Sequence, residues 1–220
     1  MTEEKLPKLL IGIPNLDSIK TDTVASLFSG TFNLNAVARL HIQNSSLVHD
    51  ARNKIVAEAL ASGQDYVMFI GSDIAFPSHA IQKLLNANKD IIGGLYYRKQ
   101  PPHLPTIAMK NGDNLTIPER FPTKEPFRVF GVGTGFLLIK TSVFKKLTPP
   151  YFYFGNLHGK PIGEDMYFCH KAYQAKLEVW CDPTLKLGHV GTYVYTEEDY
   201  NVYKEDIKEE RQDPWADGAI

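Results

Sequence analysis

Residues 9–97 alternate between short apolar runs and segments of helical periodicity, and few folds accommodate that order. Leu9-Leu10-Ile11-Gly12-Ile13 is an apolar run closed by Pro14, which predicts a buried first strand. Residues 21–28 read as a helix and 36–42 as a second strand. Ser45 or Ser46 is placed to cap a helix running to about Ala61. Its apolar positions Val48, Ala51, Ile55 and Ala59, with Val56 and Leu60, keep the helical period until Gly63. Residues 66–70 form the next strand, 78–87 the next helix and 91–97 a strand containing Gly93-Gly94. A β-α-β-α-β-α-β order predicts an α/β fold: a mostly parallel, Rossmann-like central sheet with helices on both faces.

The pattern then changes. Residues 99–128 carry six prolines and read as irregular loops with one strand at 106–109. Further strands are expected at 127–130, 136–139, 178–181 and 185–189, with a helix at 166–175. Residues 197–211 mix acids and bases, as in a solvated helix held down by Tyr200, Tyr203 and Ile207. The tail 212–220 is expected to fray, with Trp215 able to anchor it. This divides the chain into one domain, 1–195, and a C-terminal helix and tail, 196–220.

With 43% hydrophobic and 22% charged residues, 220 residues suit a single compact core. The net charge of −1 gives no global pull toward nucleic acid, although one basic stripe would suffice for local binding. Cys169 and Cys181 show no paired metal spacing, and a two-cysteine chain reads as intracellular. No stretch approaches the ~20 apolar residues of a membrane span, and the N-terminus is polar. A cytoplasmic location is the expectation.

Several motifs carry chemistry. Asp73 follows the strand Tyr66-Val67-Met68-Phe69-Ile70 within Gly71-Ser72-Asp73. Ligands of open α/β sheets bind beyond the carboxyl ends of the strands. A carboxylate there can hold a hard divalent cation together with a diphosphate, or cap the helix that begins nearby. His189 lies between Gly188 and Gly191, and neutral imidazole is a good donor to manganese. Glu164 and Asp165 follow Gly163 at a helix start, where they can accept a proton or act as simple N-terminal acids. Arg52 can pair with phosphate or lie exposed on its helix. Gly133-Thr134-Gly135 can offer backbone N–H groups to a sugar, but a strand rather than a helix follows, so it is no dinucleotide fingerprint. Arg98 and Lys99, past the glycine pair, can reach phosphate or solvent.

In order and spacing, these pieces resemble a GT-A-fold glycosyltransferase of the family 2 type, in its short single-domain viral, phage and bacterial form. The resemblance spans about 9–195. It rests on Ala51-Arg52-Asn53, Asp65 through Asp73, Ile92-Gly93-Gly94-Leu95-Tyr96, Gly133-Thr134-Gly135-Phe136, Gly163-Glu164-Asp165-Met166 and Gly188-His189-Val190-Gly191. It implies a metal-dependent transfer, with inversion, from a nucleotide-diphosphate sugar, UDP-linked above all, to an acceptor hydroxyl. Pro14 and Asn15 would meet the base and Arg52 the base or diphosphate. Asp73 and His189 would hold Mn2+ or Mg2+. Asp165 would be the catalytic base, with Glu164 orienting the acceptor or substituting for it. The chain departs from the family at Gly71, where the metal motif carries its first aspartate, which shifts ribose contacts toward Ser72. The acceptor stays open between glycan, protein, surface polymer and nucleic acid. The rival readings are a nucleotidyltransferase, which would carry a basic glycine-rich loop after the first strand, and a non-catalytic nucleotide-sugar-binding relative.

Overall fold

The computed structural model describes residues 5–203, except 113 and 192. The chain runs β1 (Lys8–Asn15), α1 (Thr21–Thr31), β2 (Val37–Asn44), α2 (Val48–Ala61), β3 (Tyr66–Ile70), β4 (Ile74–Ala75), α3 (Ala80–Asn86) and β5 (Ile91–Gly94). The second half follows as β6 (Ile107–Asn111), β7 (Asn114–Thr116), β8 (Phe127–Val129), β9 (Gly131–Val132), β10 (Phe136–Lys140), α4 (Thr141–Phe144), β11 (Gly155–Leu157) and β12 (Lys160–Ile162). It closes with α5 (Glu164–Gln174), β13 (Val179–Asp182), β14 (Gly188–Val190), β15 (Val194–Tyr195) and α6 (Glu197–Tyr203).

The central sheet has seven strands in the order β2-β1-β3-β10-β5-β13-β8. β2, β1 and β3 are mutually parallel, and β13 is parallel to β5. β10 runs antiparallel between β3 and β5, and β8 antiparallel to β13. The sheet is thus mixed, in a GT-A-like, Rossmannoid arrangement. The period of two sorts its side chains between two cores. Leu10, Val67, Phe69, Leu137 and Ile139 face α2, α4 and α5. Leu9, Ile11, Ile13, Met68, Ile70, Phe136 and Leu138 face α3 and, through Leu27, α1.

Several local expectations shift. Pro14 does not close β1, which continues to Asn15 in register with Asn44. A parallel strand leaves some N–H groups unused, so proline fits where its neighbour needs no donor. α2 begins at Val48 with Leu47 as its cap and no side-chain cap bond; Ser45 Oγ instead accepts from Leu47 N–H at 3.2 Å. β2 is an exposed edge strand. The hairpin β11–β12 was not foreseen; its two-residue turn, His158-Gly159, has φ of 53° and 85° and is the positive-φ type that fits strand twist. Both cysteines are free and buried. Of the expected C-terminal helix, Tyr200 is buried and stacks on Tyr97 at 5.2 Å. Residues 204–220, with Ile207 and Trp215, and the Tyr203 side chain lie outside the described residues. Among the described residues, no helix is long and apolar enough to cross a membrane.

Candidate active site

The parallel strands β1, β3 and β5 end on the same edge of the sheet, and the candidate residues gather there. β3 stops at Ile70, and the chain turns through Gly71, whose N–H donates to Gly135 O at 2.8 Å. Directly after Asp73 comes the short strand β4, which pairs with β14 so that Ile74 lies opposite His189. Val190 N–H also donates to Asp73 O at 2.7 Å. This small sheet brings residues distant in sequence together: His189 Nε2 lies 3.4 Å from Asp73 Oδ2.

The histidine is held from its other side. Its Nδ1 lies 2.8 Å from the Tyr97 carbonyl oxygen, and the Tyr96 ring meets it edge-on at 5.3 Å. A carbonyl oxygen only accepts, so Nδ1 carries the proton and donates it. Nε2 then presents either a lone pair or a second proton to Asp73. In the neutral ring, a lone pair facing a carboxylate oxygen is an arrangement that a shared cation can occupy. A histidine tied at one nitrogen by a carbonyl is also how metal-bound imidazoles are oriented. With bonds of about 2.1 Å from a cation to each atom, the 3.4 Å separation corresponds to neighbouring coordination positions. The pair therefore fits a divalent ion. Among the described residues, no group of three or more His, Cys, Asp or Glu forms a complete metal cage. Two protein donors would leave the remaining coordination positions to groups from outside the chain. Asp73 also receives Lys99 Nζ on the same Oδ2. Burial works against its ionisation, but the neighbouring His189 and Lys99 side chains outweigh it and hold the carboxyl down at about 2.

Glu164 and Asp165 open α5 after Gly163, yet the structure separates their duties. Glu164 Oε1 takes Arg52 Nη1 at 2.5 Å; Arg52 is buried and the Glu164 side chain is 12% exposed. Arg52 on α2 is thereby paired with an acid on α5. It is not an exposed helical arginine: it is 6% exposed, and its Nε is buried with no partner among the described residues. Asp165 instead lines a cavity of about 300 Å³ with Arg98, Lys99, Gln100, Thr106 and His189. Burial, then the Glu164 charge, push the Asp165 carboxyl up to about 6, against its own helix N–H at Met166, Arg52 and Arg98. A carboxylate that ionises near neutrality beside a cavity is equipped to take a proton.

Pro14 and Asn15 lie at the end of β1. Asn15 Nδ2 donates to Asn44 Oδ1 at 3.1 Å, while Asn15 Oδ1 is buried with no partner among the described residues. Ser72 gives its carbonyl to Lys20 N–H at 2.8 Å. The Gly133-Thr134-Gly135 turn is occupied internally. Gly133 N–H donates to Thr106 O at 2.8 Å and Gly135 N–H to Tyr96 Oη at 3.0 Å. A Cβ on Gly135 would lie 2.7 Å from Tyr96 Oη, so glycine is needed there for close approach. We expect Gly135→Ala to cost about 1–3 kcal/mol by overpacking and to loosen the Tyr96 ring behind His189. A thermal melt with near-ultraviolet dichroism measures both effects.

Sequence reasoning missed Tyr96, which links the glycine turn to the histidine, and the Tyr97 carbonyl. Their only sequence signal is position, directly after a buried strand end on the ligand-binding edge.

The fold and the site define a GT-A-like, Rossmannoid α/β domain whose acids, histidine and cations meet at the carboxyl edge of the sheet. Comparison with solved structures places it beside A197 from STIV, with a TM-score of 0.61 and 21% identity over 84% of this chain and 86% of that one. A UDP-glucose pyrophosphorylase from Acinetobacter baumanii aligns with a TM-score of 0.50 and 9% identity over 94% and 95% of the chains. At these identities the likeness is one of fold. No family model matches the sequence, and no curated protein does.

Proposed function

We propose that the chain is a metal-dependent glycosyltransferase that moves a sugar from a nucleotide-diphosphate sugar, UDP-linked above all, to an acceptor hydroxyl with inversion. The reading rests on one observation: Asp73 and His189 converge at the strand ends on the rim of the cavity that Asp165 lines. Asn15 Oδ1, an unsatisfied acceptor at the end of β1, suits an N–H on the edge of the base. Asp73 and His189 would hold Mn2+ or Mg2+, which would supply charge neutralisation to the leaving diphosphate. Asp165 takes the proton of the acceptor hydroxyl, whose oxygen then attacks the anomeric carbon from the face opposite the diphosphate. Glu164, paired with Arg52, keeps a negative charge beside Asp165 and so sustains its basicity. Arg98 and Lys99 bring positive charge to the cavity wall, where anionic groups of donor or acceptor would lie.

Nucleotidyl transfer is the second reading, favoured by the shared fold of the pyrophosphorylase. Against it, Gly12-Ile13-Pro14-Asn15 remains in strand β1, and Leu16-Asp17-Ser18 follows with no basic glycine-rich loop. A thermal-shift panel of nucleotide sugars, with and without Mn2+, tests the nucleotide-sugar site that both readings need, and an assay of pyrophosphate release separates them. The expected result is stabilisation by one class of nucleotide sugar that requires the metal. A donor at a hundred times its Kd contributes about 2.7 kcal/mol. Pyrophosphate release from a nucleoside triphosphate and a sugar phosphate would favour the second reading. No shift with any donor would count against both.

A further inference from the structure

Two side-chain nitrogens converge on a single oxygen. Asp73 Oδ2 faces His189 Nε2 at 3.4 Å and also accepts from Lys99 Nζ. The backbone that carries Lys99 is fastened. Arg98 N–H donates to Leu104 O and His103 N–H to Gln100 O, each at 2.9 Å, and His103 Nδ1 lies 2.9 Å from Arg98 O. The lysine stem passes over Gly191, where a Cβ would meet Lys99 Cδ at 3.6 Å. So the loop is fixed, and the four-carbon side chain is what can move. Lys99 also borders the cavity shared by Asp165 and His189. Its ammonium therefore has two places to go: the Asp73 carboxylate, or an anion in the cavity.

A divalent ion bound between Asp73 and His189 would need the oxygen that Lys99 holds. Two cations within a few ångströms repel strongly in a partly buried site, so both cannot stay. We infer that Lys99 is a resident counter-ion for Asp73 that a divalent cation displaces into the cavity, where the ammonium is taken up by the donor's diphosphate. This rests on the reading of Asp73 and His189 as the cation's ligands. It couples the two ligands: the ion binds weakly to the free protein and tightly once a diphosphate receives the lysine. Linkage makes the effect reciprocal.

The test is Mn2+ binding, read by the electron paramagnetic resonance of free ion, with and without inorganic pyrophosphate. It uses the full chain and its Lys99→Met variant, which keeps the stem and removes the charge. We expect Lys99→Met to bind Mn2+ alone about tenfold more tightly, within the usual range of coupling between sites. Pyrophosphate should then enhance Mn2+ binding less in the variant than in the parent. Unchanged or weaker Mn2+ binding by Lys99→Met overturns the inference, as does the absence of binding to both proteins. Lys99→Arg, which keeps the charge, should behave as the parent; tight metal binding by it would also overturn the inference. The thermal-shift panel with nucleotide sugars is scored separately. A donor-dependent shift with unchanged Mn2+ affinity in Lys99→Met retires the lysine alone. A tightened Mn2+ site in a protein that no nucleotide sugar stabilises retires the transferase reading instead.

Discussion

Replacing Asp165 by Asn should stop turnover while leaving donor binding intact, and should raise the melting temperature at neutral pH. Loss of a positioned general base costs about 10²–10⁴ in rate. The stability gain follows from the cause of the raised pKa. Burial and the neighbouring Glu164 disfavour the ionised carboxyl and push it up to about 6. The native state then holds its proton more tightly than the unfolded chain, whose carboxyl titrates near 3.8. Stability tied to this group is full below the unfolded value and is lost as pH rises toward 6. Above that pH the native protein carries a buried, like-charged carboxylate that asparagine does not. The gain should therefore vanish near pH 4. Wild-type turnover should rise through about pH 6 as Asp165 ionises, and Glu164→Gln should move that midpoint down by removing the neighbouring charge. Turnover by Asp165→Asn comparable to wild type would remove this residue from the chemistry.

The second large effect is expected at Arg52. Arg52→Ala leaves Glu164, largely shielded from solvent at the head of α5, without its cation and beside Asp165. Breaking a buried pair from one side typically costs about 3–5 kcal/mol, or on the order of 10 °C for a chain of this size. Arg52 also lowers the Asp165 pKa, so the pH midpoint of turnover should move up in the variant. Arg52→Met combined with Glu164→Gln should recover much of the stability, because replacing both partners removes the stranded charge. Denaturant unfolding of the single and double variants measures this. An equal loss in both would show that packing of the arginine stem, rather than the ion pair, supports the helix start.

Much of the fold could be read from local pattern. β3 was legible to the residue, because Tyr66–Ile70 is an uninterrupted apolar run between Asp65 and Gly71. α2 was legible over its length from its helical period, though not at its cap, where Ser45 sits too far ahead of Val48. The antiparallel place of β10 between β3 and β5 was not legible, since a short buried apolar run carries no record of its direction. β4 and β9 are two residues long and exist because partners distant in sequence pair with them.

The candidate site divides along the same line. The carboxylates and the histidine were visible as residue types beside glycines and strand ends. The Arg52–Glu164 pair was not legible, because the two residues are on different helices and no local spacing records that contact. Nor was the Lys99 contact with Asp73, which depends on how the loop after β5 folds back.

What the sequence by itself determined was the alternation of strands and helices, and with it the sheet edge on which chemistry can gather. Hydrophobic period is a local property, written within a dozen residues. Only the tertiary structure decided which charges face which. It placed Lys99 and His189 on one oxygen of Asp73, and it gave Arg52 to Glu164 so that Asp165 alone of the acid pair meets the cavity. Those choices are made by strand pairing and helix packing between distant segments, where side chains meet at distances of a few ångströms that no short stretch of sequence encodes.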